Sequence, residues 1–457
     1  MDKVDINKKI DQLLQAVKFW LKRYPFHNIV ILMFLAPVGY LFPLLFPMLG
    51  YLSVSGMFSA VSMAPALGWP AVLDWWPVLL WLLAGILFLF LSYRLLSIRP
   101  REPLGLAISE ALAPQLFALI DELQVIRGQM PIHRIIVTDR FELDIVKTRS
   151  FLLPVWSWNT LVIGLPLIQM MPPNVFRAMM GRKICQHSLL RNPLLHWLHQ
   201  LNAAWRQYYA CVADSRAVDM RFQAFFYGAY SMLYAKLVEP VARLDGLSAD
   251  SYTLKVVNDE DIVESIEYLF VAGMFIEKMF WPKLREVARK QRNYELFPFA
   301  TLAKVGFSSL AKLDINGWLK KEMTTGSSPR WGVASMPVRM GGLGHDEIYE
   351  LEIASESAAE FYFGQSLVKV VATIDRYWQK HTIPQWQALD DKERRENALM
   401  ATLTAKFKSR DYSFSELRQY VRLAWKLRLR PALKLLFKMF FLTRIRLFRK
   451  PAVATAA

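Results

Sequence analysis

The side chains best suited to holding a metal gather in one stretch of the 457-residue sequence, between residues 175 and 199. His196 and His199 are three apart and share a helix face. His187 lies nine residues before His196, which turns the two apart on one continuous helix, although Pro193 interrupts that continuity. Imidazoles suit zinc, but metal-assisted hydrolysis also needs a carboxylate to activate water. No Glu occurs between Val175 and His199. His187, His196 and His199 are therefore weak metal candidates, and ordinary helix surface is the expectation. Cys185 and Cys211 are too few for a disulfide framework and read as buried thiols in a reducing compartment. The pairs Met170-Met171 and Met179-Met180 read as packing.

These residues need helices to carry them. Pro172 and Pro173 precede Asn174, a candidate N-cap for a helix over 175–190. Further helices are expected over 108–127, 201–237 and 262–287. Residues 133–138, 141–146 and 160–164 read as strands, with 150–158 as a loop. The expected fold class is mainly α with a small β-sheet, an α+β domain over 99–390.

A different kind of segment precedes it. Residues 1–26 are basic, with apolar residues at helical spacing, and predict an amphipathic helix. Residues 28–50 carry no charged side chain. Their 23 residues would span roughly 35 Å as a helix, enough for a bilayer core of about 30 Å. Pro37, Pro43 and Pro47 predict bends. Residues 78–96 make a second span, so 27–98 is expected to be a transmembrane hairpin. Basic residues flank it on both sides (Lys18, Lys22 and Arg23; Arg94, Arg99 and Arg101), which places both ends and the large domain in the cytoplasm.

The composition is 54 % hydrophobic with a mean hydropathy of +0.20 and a formal charge of +17. Fourteen of the basic residues lie in 406–450, against Asp411 and Glu416. In that stretch Arg422, Lys426, Arg428, Arg430, Lys434, Lys438, Arg444 and Arg446 alternate with Leu, Phe and Trp. This pattern fits an anionic lipid surface and argues against nucleic acid. The segment 391–457 is expected to be a membrane-surface tail.

The order of short motifs resembles a known family. After the two apolar segments come Glu102-Pro103-Leu104-Gly105, then HRIIVTDRFELDIV, then TLVIGLPLIQMMPPNVFRAMMGRKICQHSLLRN, YYACVADSRAVDM and Ser357-Ala358-Ala359-Glu360. This is similar to the family-48 membrane zinc metallopeptidases, the HtpX-like and CAAX-prenyl-protease-type gluzincins. The resemblance implies a gluzincin-type domain behind a two-helix hairpin, in a bacterial inner membrane. In that family a helix carries H-E-x-x-H, and a later helix supplies a third ligand in an E-x-x-x-D pattern. Aligned on Phe176-Arg177-Ala178, the histidine positions fall on Arg182 and Gln186, and the catalytic Glu falls on Lys183. The third ligand falls on Ala210, while Asp214 and its neighbour Arg216 match residues that buttress the site. Arg182, Lys183, Gln186 and Ala210 thus replace every ligand and the base, and no zinc or other cofactor is expected. Asp214 is expected to pair with Arg182, Lys183 or Arg216. His345, in Gly344-His345-Asp346, is given no role.

The implied function is a membrane-anchored, catalytically inactive metallopeptidase homologue that binds a polypeptide or a membrane-protein partner. An active metalloendopeptidase with unfamiliar zinc ligands is one alternative. A scaffold docked on anionic lipid through its tail is another. Assembly with a second copy stays open.

Overall fold

The structure, a computed structural model, describes residues 25–63, 76–96, 103–125, 131–149, 157–187, 193–213, 218–291, 295–326, 334–345, 348, 351, 356–409 and 413–426. The basic helix expected over 1–26 lies almost wholly outside the described residues, as do Asp214, Arg216 and the tail from 427 onward with Arg428, Arg430, Lys434, Lys438, Arg444 and Arg446. The chain divides into two compact units: residues 1–285 with 297–375, and residues 286–296 with 376–457.

The first unit opens with two apolar helices, α1 (Pro25–Met63) and α2 (Trp76–Leu96). No charge or proline falls between Tyr51 and Met63, so α1 runs on past residue 50, where the first span was expected to end. It bends by 51° between His27–Tyr40 and Leu44–Ser59, at a break that contains Pro43. Among the described residues no single helix is long and apolar enough to cross a membrane. That bent pair together reaches the length and composition, and Val78–Arg94 is a shorter apolar helix. Small residues let the two helices approach: a Cβ on Gly50 would lie 3.4 Å from Leu89, and one on Gly85 would lie 3.7 Å from Ser53 and Val54. The pairing of 50 with 89 and 53 with 85 makes them antiparallel.

A mixed four-stranded sheet follows. Strand β1 (Leu106–Ile108) leads through a turn to α3 (Pro114–Val125), and then come β2 (Arg134–Thr138), β3 (Leu143–Arg149) and β4 (Ser157–Gly164). The helix expected over 108–127 starts six residues late. Ile108 pairs in the sheet, and the fixed φ of Pro114 suits the first helical turn. The strand order is β1-β2-β4-β3, with β2 and β4 parallel and the outer pairs antiparallel. Ile135–Val137 and Leu161–Ile163 are fully buried, as strands covered on both faces must be. β3 is left as an edge.

A short helix α4 (Leu165–Gln169) leads into α5 (Pro173–Gln186), α6 (Pro193–Ala213), α7 (Val218–Thr253) and α8 (Asp259–Phe275). Pro172 stands at the N-cap of α5 and Pro173 in its first turn, so Asn174 is inside the helix rather than capping it. The Asn174 amide instead donates to Asp261 and Glu264 at 3.1 and 3.0 Å. α5 stops at Gln186 rather than 190. The single helix expected over 201–237 is two, α6 and α7. The helix expected over 262–287 is α8, a π turn (Ile276–Phe280) and α9 (Trp281–Gln291). Four shorter helices complete the unit: α10 (Pro298–Leu310), α11 (Ile315–Thr325), α12 (Met336–Gly342) and α13 (Ala358–Phe363). Ser357 and Glu360 form a capping box on α13. The Asp375 carboxylate accepts from Phe299 and Ala300 N–H at the start of α10, at 3.0 and 3.1 Å.

The second unit contains the end of α9, most of α14 (Leu367–Ser409) and α15 (Phe414–Lys426). Within it Arg289 meets Glu393 at 2.8 Å, Gln379 donates to the Leu296 carbonyl, and Trp378 and Trp386 pack edge to face. The described residues thus form a mostly helical α+β protein.

Candidate functional site

A cavity of about 250 Å³ opens where α5, α6, α7, β3 and α12 converge. α5 brings Arg182, Lys183 and Gln186 to it: Arg182 and Gln186 are four apart and share a helix face, and Lys183, about 100° further round, lines the side towards β3. The rest of α5 is core: Phe176, Ala178, Met180 and Ile184 are buried, and so are Met170, Met171 and Met179. From α6 come His196, His199 and Arg206, and His187 stands just past the end of α5.

The centre of the site is a cluster of three charges. Asp250 on α7 is 1 % exposed and accepts from two guanidinium groups. Arg339 on α12 donates Nε and Nη2 to it at 2.9 Å each, a bidentate fork. Arg182 donates its Nε to the same carboxylate. Burial alone would raise the Asp250 pKa, but Arg182 and Arg339 outweigh it and hold the carboxyl down at about 2. Gly246, one turn earlier on α7, makes room for this: a Cβ there would lie 3.6 Å from Nη2 of Arg182.

Arg182 thus pairs with Asp250, while Asp214, expected to pair with Arg182, Lys183 or Arg216, lies outside the described residues. The resemblance places Ala210 where the family has its third ligand. Ala210 is exposed on α6 and is not among the cavity's walls. The residues at i, i+4 spacing that face α5 are Gly246 and Asp250.

Lys183 turns the other way and meets Asp144 Oδ1 on β3 at 3.2 Å, with His187 Nε2 at 3.9 Å from the same oxygen. Asp144 is more than half exposed, so this group contributes little to stability. The three histidines come closer than one continuous helix would allow. α5 ends at Gln186 and α6 begins at Pro193, and the His187 and His196 rings meet edge to face at 5.7 Å. Burial first, then its neighbour His187, pushes His196 down to about 3, so its ring is neutral. Burial also lowers His187, against the pull of Asp144. His199 Nδ1 lies 3.0 Å from Asp245 Oδ2. Among the described residues no three His, Cys, Asp or Glu side chains converge as a metal ion requires. His345 pairs with Asp259 at 2.7 Å, away from the cavity. Cys185 is buried and Cys211 half-buried, and neither joins a disulfide.

The edge strand borders this cavity. Gly164 N–H donates to Glu142 O, which fixes the even-numbered residues of β3 as those bonded to β4. The backbones of Leu143 and Ile145 therefore face outward, and Ile145 N–H is met by the Asp144 carboxylate at 3.0 Å.

Comparison with family models, with curated proteins and with solved structures returned no match.

Proposed function

We propose that the chain is a membrane-anchored protein with the architecture of a zinc metallopeptidase and no hydrolytic activity, which binds an extended polypeptide or a membrane-protein partner. One observation carries this reading: the Arg182–Asp250–Arg339 cluster. A zinc site of the H-E-x-x-H kind needs neutral imidazoles and an ionised carboxylate around a dication. Here Arg182 and Lys183 present cations on the helix face where those ligands belong, and Gly246 presents no side chain. The edge strand β3 beside the cavity supports peptide binding, because an exposed edge accepts an added strand through its backbone. The bent α1 and the apolar α2, with Phe34, Tyr51, Leu83 and Phe90 each at least half exposed, support the anchor. The test is metal content and proteolysis of the purified full chain. Less than about 0.1 zinc per chain and no chelator-sensitive cleavage of casein are expected, since a complete structural zinc site would hold its ion with about 10 kcal/mol or more. Stoichiometric zinc, or cleavage abolished by a chelator, would overturn the proposal in favour of an active metalloendopeptidase.

A further inference from the structure

Three cavities follow one another along β3. The first, about 210 Å³, lies beside Phe141, Glu142 and Leu143, and its far wall is mostly apolar (Ile266, Phe270, Met274 and Met336), with the acids Glu277 and Glu322 also lining it. The second is the 250 Å³ cavity beside Asp144 and Ile145. The third, about 120 Å³, lies beside 144–147 and ends on the rings of Tyr40, Trp205 and Tyr208. Neighbouring cavities share walls, Arg182, Lys183 and Arg339 between the first two and His187 and Gln200 between the last two. They lie in a row beside residues 141–147, a slot of seven residues, about 23 Å long at the usual strand rise, that begins just before β3.

The middle of the slot carries unbalanced charge. Arg182 and Arg339 share one carboxylate, that of Asp250, which leaves this cluster with two cations against one anion among the described residues. Arg339 is 5 % exposed and Arg182 is mostly buried. A desolvated guanidinium is stabilised by a further anion within reach. Arg206 stands exposed at the rim. Lys183 is held by Asp144, Glu239 is paired with Arg243, and Glu322 lies in the first cavity.

We infer that this cluster is a carboxylate receptor: it takes the acidic side chain of an extended peptide lying along β3, with large apolar side chains of that peptide in the cavities on either side. This rests on the polypeptide-binding reading above and specifies which polypeptides bind. The ion triplet thus does more than hold helices together, since its surplus cation selects the ligand.

The experiment uses the full chain in detergent micelles and fluorescein-labelled nonapeptides of alternating Leu and Ser, whose central residue is Glu, Gln or Lys. Binding is read by anisotropy. The Glu peptide is expected to bind at least about tenfold more tightly than the Gln peptide, the size of one charge-assisted hydrogen bond, and the Lys peptide weakest. Arg182→Gln is expected to erase the preference for Glu over Gln. Lys183→Gln leaves the buried cluster whole and is expected to reduce the preference by less. Equal binding of all three peptides, or a Glu preference that persists in Arg182→Gln, overturns the receptor while polypeptide binding stands. Binding of none of them overturns the polypeptide reading as well.

Discussion

At the scale of single residues, Asp250 is the side chain on which the site turns. It is buried and anionic, and two guanidinium groups point at it. Removing it leaves Arg182 and Arg339 facing each other without a counter-charge. Asp250→Ala is expected to cost about 3–5 kcal/mol, the usual cost of breaking a buried ion pair from one side. Thermal unfolding in detergent measures it, and a Tm within a few degrees of the parent would refute the cross-link. The same residue sets an acid limit. Its pKa falls from an ordinary 3.8 to about 2 on folding. A lowered carboxyl pKa contributes stability that is complete above the unfolded value and disappears as pH falls through the folded one. The cluster's contribution is therefore whole above about pH 4 and lost towards pH 2, so the Asp250→Ala deficit should shrink across that interval.

At the scale of elements, the first half of α1 is held by α6 and α7. Tyr227 and Tyr230 donate their hydroxyls to the carbonyls of Gly39 and Leu35 at 3.0 and 2.9 Å, and Asn28 donates to the Leu237 carbonyl at 2.8 Å. Trp205, fully buried, lies flat against Gly39, where an added Cβ would come within 2.7 Å of Cη2. Gly39→Ala is therefore expected to destabilise this packing by about 1–3 kcal/mol. Unchanged thermal stability would mean that the helix is not seated there. The sequence made some of these elements legible and hid others. The strands at 133–138 and 160–164 showed as runs of Ile, Val and Leu between turn residues. Arg182, Lys183 and Gln186 stand out only through the family resemblance, and all three line the cavity. Three things stayed hidden. The division of the stretch expected as one helix over 201–237 into α6 and α7 was obscured because hydrophobic periodicity runs on either side of it. The partner of Arg182 is 68 residues away, and spacing does not report such distances. Arg339 is 89 residues beyond Asp250, in a short helix with no motif.

At the scale of the molecule, two features bear on attachment to a membrane: the apolar helices α1 and α2, and the basic tail. In the described part of that tail, α15 exposes Arg418 and Arg422 and buries Tyr420 and Leu423. On the proposal of a membrane-surface tail, these basic residues would attract anionic lipid at about 1 kcal/mol each and be released by salt. If α1 and α2 form the proposed anchor, deleting 421–457 is expected to leave the protein in the membrane fraction after an alkaline wash. Release on deletion would assign the anchoring to the tail and favour the scaffold reading.

The shared carboxylate also imposes an order on synthesis. Asp250 bridges positions 182 and 339, so 157 residues of chain must follow Arg182 before Arg339 exists. At translation rates of about 5–20 residues per second, that interval is on the order of ten seconds or longer. Until then a nascent chain carries Arg182 and Asp250 with only each other, and α12 is absent from the wall it completes. The three-charge cluster thus cannot close until about three quarters of the chain has been made, and a chain stalled before residue 339 would carry Arg182 and Asp250 without the wall that α12 supplies.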